Sequence, residues 1–409
     1  MRFIIQKFGG TSLVSQELRE KVAARAIAAR EEGVTPVLVV SAIGRVNDPF
    51  ATDTLVNFAR QVHREIESRE MDMLMSCGEI ISGVIMAGTF QKLGYPSVFL
   101  SGPQAGIVTD NSFSDARILK IKPENIIRHA REGKIVVVAG FQGMTEDGEI
   151  TTLGRGGSDT TAAALGVALD AEFVDIYTDV EGIMTADPRI VENARIREVV
   201  TYDEICHLAH EGAKVVHPRA VEIVMQKNIP MRVKCTFSNA PGTLVTSTGE
   251  VFKGTIDITR DRTITGITQI PNLTQFRISM DNGSGGLTVK RRLFNSLALA
   301  GISLDFINVY PDRVVFTVRG DMAQKVLQVL ETTGINNVEY TDGCSKVAAV
   351  GAGMTGLPGI MAAIVDALTR EEIQILQSND SHTTIWLLVK REDMEKAVRA
   401  LHRRFALAD

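Results

Sequence analysis

Between Arg2 and about Val245, short apolar runs alternate with segments of helical periodicity, and this rhythm restricts the fold more than any other feature. The spacing predicts strands at Arg2–Lys7, Pro36–Ser41, Ser97–Ser101, Ile135–Phe141, Phe173–Thr178 and Met231–Lys234, with helical patterns between them. Strands joined by helical crossovers make an α/β sandwich around a largely parallel sheet. Most of the glycine-rich turns follow strands, and open α/β sheets bind their ligands at that edge.

The first such turn is Lys7-Phe8-Gly9-Gly10-Thr11-Ser12, set between Phe3-Ile4-Ile5 and a helical segment from Ser15 to Glu32 closed by Gly33. Glycines let backbone N–H groups approach an anion, a helix N-terminus adds positive potential, and a lysine adds a mobile charge. Polyphosphate binding is the expectation. No G-x-x-x-x-G-K-[ST] occurs, so the turn is not the common P-loop. The second turn is Leu153-Gly154-Arg155-Gly156-Gly157-Ser158-Asp159-Thr160-Thr161, ahead of a helix expected over Thr161–Leu169. One reading makes Ser158 or Asp159 its N-cap and the glycines a tight turn. The other makes it a second anion site, with Arg155 as a bidentate fork for a carboxylate. Two such sites suit a phosphate donor facing a carboxylate-bearing acceptor.

Length and charge narrow the class. A chain of 409 residues predicts two or three domains, and a net charge of −5 argues against a nucleic-acid partner. Cys77, Cys206, Cys235 and Cys344 form no C-x-x-C, which fits a reduced, cytoplasmic protein. Only three apolar residues follow Arg2, so no signal peptide is expected, and no apolar stretch suggests a membrane span of ~18–20 residues.

Several residues carry two open readings. Thr178-Asp179 and Asp187-Pro188-Arg189 are turns, or they line the edge that holds a nucleotide. Lys214 is a surface lysine or a further cation for it. Glu79, placed at the opening of an apolar helix, complements the helix dipole or reaches inward to pair with an ammonium group. Thr52 and Asp53 cap a helix or face a ligand. Gly351-Ala-Gly353-Met-Thr-Gly356 matches G-x-G-x-x-G, but 53 residues beyond it are too few for a dinucleotide fold. Cys206-His207-Leu-Ala-His210-Glu211 is not a zinc-protease pattern and reads as an amphipathic helix; Lys290-Arg291-Arg292 reads as a solvated helix face.

A linker over 246–262 precedes an internal repeat of about 70 residues. Ile302–Asn308, Val314–Arg319 and a helix from Asp321 correspond to Ile373–Ser378, Thr383–Lys390 and a helix from Glu392. Each unit reads β-α-β-β-α. The first finds a fourth strand at Asn337–Tyr340, and the second lacks one. The strand Ile264–Ile270 fills that slot if the first unit is inserted into the second.

Taken in order, Lys7-Phe-Gly-Gly-Thr-Ser, Val40-Ser41-Ala42, Gly78-Glu79, Gly154–Asp159, Thr178–Gly182 and Thr185–Arg189 resemble the aspartate kinases of the amino-acid kinase family. The C-terminal repeat resembles their paired ACT domains, each a ferredoxin-like βαββαβ unit of the α+β class. The resemblance spans essentially the whole chain and is closest to the diaminopimelate-sensitive type of bacilli. It implies a catalytic domain over 1–245 and ACT units over 263–341 and 342–409. It implies ATP-dependent phosphorylation of L-aspartate to 4-phospho-L-aspartate, the first step toward lysine and diaminopimelate, threonine and methionine. ATP falls to Lys7, Gly9, Gly10, Ser158, Thr178, Asp179, Asp187, Arg189 and Lys214, and aspartate to Ser41, Thr52, Glu79, Arg155, Gly156 and Gly157. Lys7 and Asp159 carry the catalytic roles, and Mg²⁺ arrives on the ATP phosphates without a protein metal site. Asn308, Gln377, Asn379 and Asp380 are the candidate contacts for an amino-acid effector, or ordinary strand ends. Met280-Asp-Asn-Gly-Ser284 replaces a turn common in the family, which favours diaminopimelate over lysine or threonine. A homodimer through the ACT units is the expected assembly. The rival readings are another phosphotransferase of this fold and a catalytically inactive ACT sensor.

Overall fold

A computed structural model describes residues 1–213, 215–247, 264–281, 284–351, 354 and 358–408. Packing divides the chain into two units. The first takes Met1–Met184, Ile196–His210 and the described part of 214–259; the second takes Thr185–Arg195, Glu211–Ala213 and the described part of 260–409. Two stretches expected in the catalytic half therefore fold with the C-terminal half.

The first unit runs β1 (Phe3–Phe8), α1 (Gln16–Glu31), β2 (Thr35–Val40), α2 (Thr52–Val62), α3 (Ser68–Lys92) and β3 (Ser97–Leu100). It continues through β4 (Ile107–Thr109), β5 (Ile118–Ile121), α4 (Glu124–Arg131), β6 (Ile135–Ala139), β7 (Gln142–Met144) and β8 (Ile150–Thr152). Then come α5 (Gly157–Ala168), β9 (Phe173–Thr178), β10 (Val199–Thr201), α6 (Tyr202–His210), α7 (Pro218–Met225), β11 (Met231–Cys235) and β12 (Thr243–Thr246). The main sheet has the order β10-β12-β11-β9-β1-β2-β6-β3 and is parallel except where β11 meets β12. Val37–Val40 and Val136–Ala139 are fully buried, as strands covered on both faces must be. On one face Val22 and Ala26 of α1 and Met86 and Phe90 of α3 pack on Phe8, Leu38 and Val137. On the other, Gly166 of α5 lies against Val174 and Ile5. The sequence pattern did not indicate the second, four-stranded sheet, β5-β4-β7-β8, because its strands are only three or four residues long.

Two helical boundaries differ from expectation. α1 starts as predicted, with the Ser15 hydroxyl accepting the Leu18 N–H. α5 begins at Gly157, not Thr161, and its N-cap is Gly156 in the left-handed conformation; Ser158 and Asp159 lie in its first turn. Glu79 is in the middle of α3, not at its start. α3 also has the length and composition of a membrane span, with half of its most apolar window buried in the unit. Its Asp72 is fully buried and accepts the N–H groups of Ser114 (2.9 Å) and Thr152 (2.7 Å), which suits a core helix.

The second unit holds β13 (Gly266–Ser279), α8 (Ser284–Leu299), β14 (Asp305–Val309), β15 (Arg313–Arg319), α9 (Ala323–Thr332) and β16 (Val338–Val350). α10 (Ile360–Arg370), β17 (Gln377–Asp380), β18 (Thr384–Lys390) and α11 (Met394–Arg404) complete it. They form one sheet, β14-β15-β13-β16-β18-β17. The strand expected at Ile373–Ser378 lies at Gln377–Asp380, so Gln377, Asn379 and Asp380 sit on it, and Asn308 sits on β14. Of the expected strands Ile264–Ile270 and Asn337–Tyr340, Gly266–Ile270 and Val338–Tyr340 are parts of two long strands, interrupted where Asn272 (φ 61°) and Gly343 (φ 64°) turn left-handed. Gly266–Ile270 pairs with Lys346–Val350, which pairs with Thr384–Leu388. Beyond the interruption, Leu273–Ser279 pairs with β15. Ile267 is buried among Val347, Leu387, Val398 and Leu401. The linker 248–262, part of Met280–Ser284, and Gly353 and Gly356 lie outside the described residues. Ile267→Ala is expected to cost about 2–5 kcal/mol in this core and to lower the denaturation midpoint; an unchanged midpoint contradicts the packing.

Candidate functional site

β1, β2, β6 and β9 are neighbours in the sheet and run parallel, so the turns after them emerge at one edge. Lys7, Ser41, Phe141 and Thr178 are thereby brought to the same end of the first unit. Lys7, Gly10, Ser41, Thr52, Glu79 and Arg155–Asp159 line one cavity of about 480 Å³, a volume suited to a small ligand.

Glycine is required where backbones touch. A Cβ on Gly10 would meet the Ala42 carbonyl oxygen at 2.2 Å, so the first glycine loop lies flush on the turn after β2. A Cβ on Gly156 would strike the His217 ring at 2.3 Å, and Gly156 also has φ +70°. Phe141 is held at φ 69° beside Gly157, an uncommon conformation for a bulky residue at a site wall.

Most charges that line this cavity are paired; Asp53 has no partner among the described residues, and two further exceptions stand out. Lys7 Nζ lies 2.7 Å from Asp159 Oδ1, and both side chains are largely buried. The other oxygen of Asp159 accepts the His217 N–H at 3.2 Å. Arg45, from the turn after β2, meets Asp179 at 2.7 Å in an exposed pair that joins that turn to the one after β9. Thr178 donates to Asp179 Oδ1 at 3.2 Å. The first exception is Arg155, which is exposed and has no polar partner among the described residues. The second is Glu79, 2 % exposed: Oε1 accepts the Ala42 N–H at 3.0 Å, while Oε2 has no partner among the described residues. Burial pushes the Glu79 carboxyl up to about 8, and the Ala42 N–H offsets only part of this. A buried carboxyl oxygen without a donor among the described residues, in a cavity wall, leaves a place for a hydrogen-bond donor.

Arg45 and His217 were not singled out by the sequence patterns. Arg45 carried one signal, a cation in a glycine turn following a predicted strand; His217 acts through its main chain, which leaves no residue-type signal. Asp187 and Arg189 pair with each other at 2.7 Å within the second unit, and Arg189 holds the Asp187 carboxyl below its usual range. Lys214 lies outside the described residues. Among the described residues no group of three His, Cys, Asp or Glu side chains suits a metal ion.

Comparison with known proteins agrees with this geometry. Residues 2–235 match the amino acid kinase family, and residues 339–403 match the ACT domain. The chain is 48% identical to aspartokinase 1 of Bacillus subtilis over 408 residues, covering all of both chains. It is 41% identical to the aspartokinase of Geobacillus stearothermophilus, covering all of this chain and 98% of that one. The fold superposes on E. coli aspartokinase III in complex with aspartate and ADP with a TM-score of 0.80, at 24% identity and over 98% of this chain and 99% of that one. The chain belongs to the amino acid kinase family. Within that family it belongs to the aspartokinases.

Glu79 gives the site a pH signature. Its folded-state value lies above the unfolded 4.5, so the folded state keeps the proton longer and loses stability as pH rises from about 4.5 to about 8. Glu79→Gln removes that loss. The ligand-free variant is expected to exceed the parent by a few kcal/mol at pH 8–9 and by little at pH 5, measured by denaturation across pH; a constant difference contradicts the assignment.

Proposed function

We propose that the cavity binds L-aspartate against ATP and transfers the γ-phosphoryl group to its side-chain carboxylate, giving ADP and 4-phospho-L-aspartate. The observation that carries this reading is the orphaned Glu79 oxygen in the same cavity wall as the unpaired Arg155. In this reading Glu79 takes the α-ammonium and Arg155 the α-carboxylate, so the β-carboxylate is left for the phosphate side. Ser41, Thr52, Gly156 and Gly157 complete the aspartate pocket. Lys7, Gly9, Gly10 and Ser158 meet the phosphates, and Thr178, Asp179, Asp187, Arg189 and Lys214 hold the rest of the nucleotide. The cited E. coli structure, which holds aspartate and ADP, supports the same pairing of ligands.

The chemistry asks little of acid–base groups. The attacking carboxylate has an ordinary pKa near ~3.9 and is ionised at neutral pH. Its oxygen forms a bond to the γ-phosphorus as the bond to the β,γ-bridging oxygen breaks, and ADP leaves with that electron pair. No proton moves. The protein supplies alignment and positive charge. Asp159 holds Lys7 at the end of β1 until the triphosphate competes for it, which keeps the lysine aimed at the transferring group. The open N-terminus of α5 adds N–H groups and a favourable dipole. Brought in with the triphosphate, Mg²⁺ would supply charge neutralisation at its oxygens.

Lys7→Ala is expected to lower kcat by about 10²–10³-fold with a smaller change in the aspartate KM; full kcat contradicts the role of Lys7. Arg155→Ala is expected to act mainly on the aspartate KM.

Regulation belongs to the same proposal. Gln377 donates to Asn308 Oδ1 at 2.5 Å and to the Phe306 carbonyl at 2.6 Å, so strands at opposite ends of the sheet order meet through the effector candidates. Asn379 and Asp380 follow on β17. An amino-acid effector there, diaminopimelate in preference to lysine or threonine, would act on a homodimer joined through the ACT units in the cytoplasm. E. coli aspartokinase III has been solved with lysine, which supports an amino-acid ligand of this class. Inhibition by meso-diaminopimelate, lysine and threonine, singly and in pairs, tests the choice. Diaminopimelate is expected to inhibit alone; inhibition by lysine or threonine alone contradicts it.

A further inference from the structure

Among the described residues, the cations that line the cavity are Lys7, Arg155 and Arg45. Transfer from ATP to aspartate employs the first two and leaves Arg45 without a task. Its backbone is fixed in place. The Gly44 N–H donates to the Gly10 carbonyl at 3.1 Å, and the Arg45 N–H donates to Asp48 Oδ2 at 2.7 Å. The Asp48 N–H returns a bond to the Arg45 carbonyl at 2.8 Å. Asn47, at φ 79°, donates its N–H to Thr54 Oγ1 at 3.1 Å in the first turn of α2. The turn after β2 is therefore bolted to the first glycine loop and to α2, and the side chain of Arg45 is the part free to move.

That side chain has one partner among the described residues, Asp179, with Nη2 at 2.7 Å from Oδ2. The other oxygen of Asp179 accepts the Thr178 hydroxyl. β1 lies between β2 and β9 in the sheet, so the pair links the turns on either side of the strand that carries Lys7. The two side chains are 69 % and 46 % exposed, against 14 % and 12 % for Lys7 and Asp159. A pair so open to water is screened and cheap to part, whereas the buried one is not. An ion pair that adds little to the fold, at the edge of a cavity for anions, holds a cation in reserve.

We propose that Arg45 is a further cation for the phosphoryl transfer and that the nucleotide releases it: hydrogen-bond donors of the nucleoside replace the guanidinium on Asp179, and the freed guanidinium turns to the oxygens of the transferring phosphoryl group. The proposal rests on the reading that the cavity transfers phosphate to aspartate and that Asp179 meets the nucleoside. The γ-phosphoryl group and the attacking carboxylate are both anionic, and Arg155 is taken up by the α-carboxylate. A second cation beside Lys7 acts where charge collects during transfer. The planar fork of arginine fits two phosphoryl oxygens at once. Arg45 makes and breaks no covalent bond and keeps its protons throughout. The full positive charge of the site is thus assembled only with the phosphate donor in place.

Steady-state kinetics of the full-length protein test this, with ATP and aspartate each varied at a saturating level of the other. Arg45→Met keeps much of the side-chain length and removes the charge. It is expected to lower kcat about 10²-fold. The ATP KM is expected to move by less than about threefold, because the lost phosphate contact is offset by an Asp179 already free for the nucleoside. Arg45→Lys is expected to recover part of kcat, since it keeps the charge but not the fork. Asp179→Asn frees Arg45 without removing it, so it is expected to raise the ATP KM and to lower kcat far less than Arg45→Met does. If Arg45→Met does not fold, Arg45→Gln takes its place. A kcat within about threefold of the parent in the folded uncharged variant overturns the proposal. So does an Asp179→Asn variant with the same loss of kcat, because the pair then matters as a strap between turns and not as a source of charge. A lysine variant no faster than the methionine one overturns it as well. If the parent itself forms no aspartyl phosphate, the reading of the whole site fails; if the parent forms it and Arg45→Met keeps its kcat, only the role of Arg45 falls.

Discussion

The ion pair between Lys7 and Asp159 organises the first unit's site. It joins the end of β1 to the first turn of α5, two elements more than 150 residues apart in the chain, with both side chains largely out of water. Either charge alone at that position would be costly. Everything around it serves the approach of these two elements: Gly10 lets the turn after β2 close in, Gly156 makes room for the His217 ring, and the His217 N–H occupies the second oxygen of Asp159. The site is thus assembled from strand ends, and its cation is held before any ligand arrives.

A second constraint acts in the opposite direction. Glu79 is buried and only half satisfied, and the fold tolerates this by keeping it protonated to about pH 8. An ammonium group beside it would favour the ionised form, so the oxygen that costs the fold stability would attract such a ligand. Asp72, on the same helix, shows the contrast. It is just as deeply buried but accepts several hydrogen bonds, and it ties α3 to β8 without offering anything to a ligand.

Much of this was legible in the residues. Strand positions in the first unit follow from short apolar runs, and the glycine turns name the ligand edge because only backbone proximity explains so many glycines there. Glu79 was legible as a residue but not as a position: the apolar face of α3 extends well before it, so the helix start was placed too late. The reading of Ser158 or Asp159 as a cap fails because the N-cap is Gly156, and a left-handed glycine N-cap has no side-chain signature. That Gly266–Ile270 continues to Ser279 in one strand has no sequence signal, because Pro271 and Asn272 are residues typical of turns. The packing of Thr185–Arg195 with the C-terminal sheet has no local signal, because its apolar anchors Ala186 and Val191 look like those of any turn.

The central claim is that the cavity directs the phosphoryl group onto an aspartate carboxylate. Incubation with ATP, Mg²⁺ and L-aspartate in the presence of hydroxylamine tests it most directly, because an acyl phosphate is trapped as the hydroxamate. The account predicts aspartyl hydroxamate formed in step with ADP, with neither accumulating when aspartate is omitted. ADP release that ignores aspartate, or that leaves no hydroxamate, would contradict it.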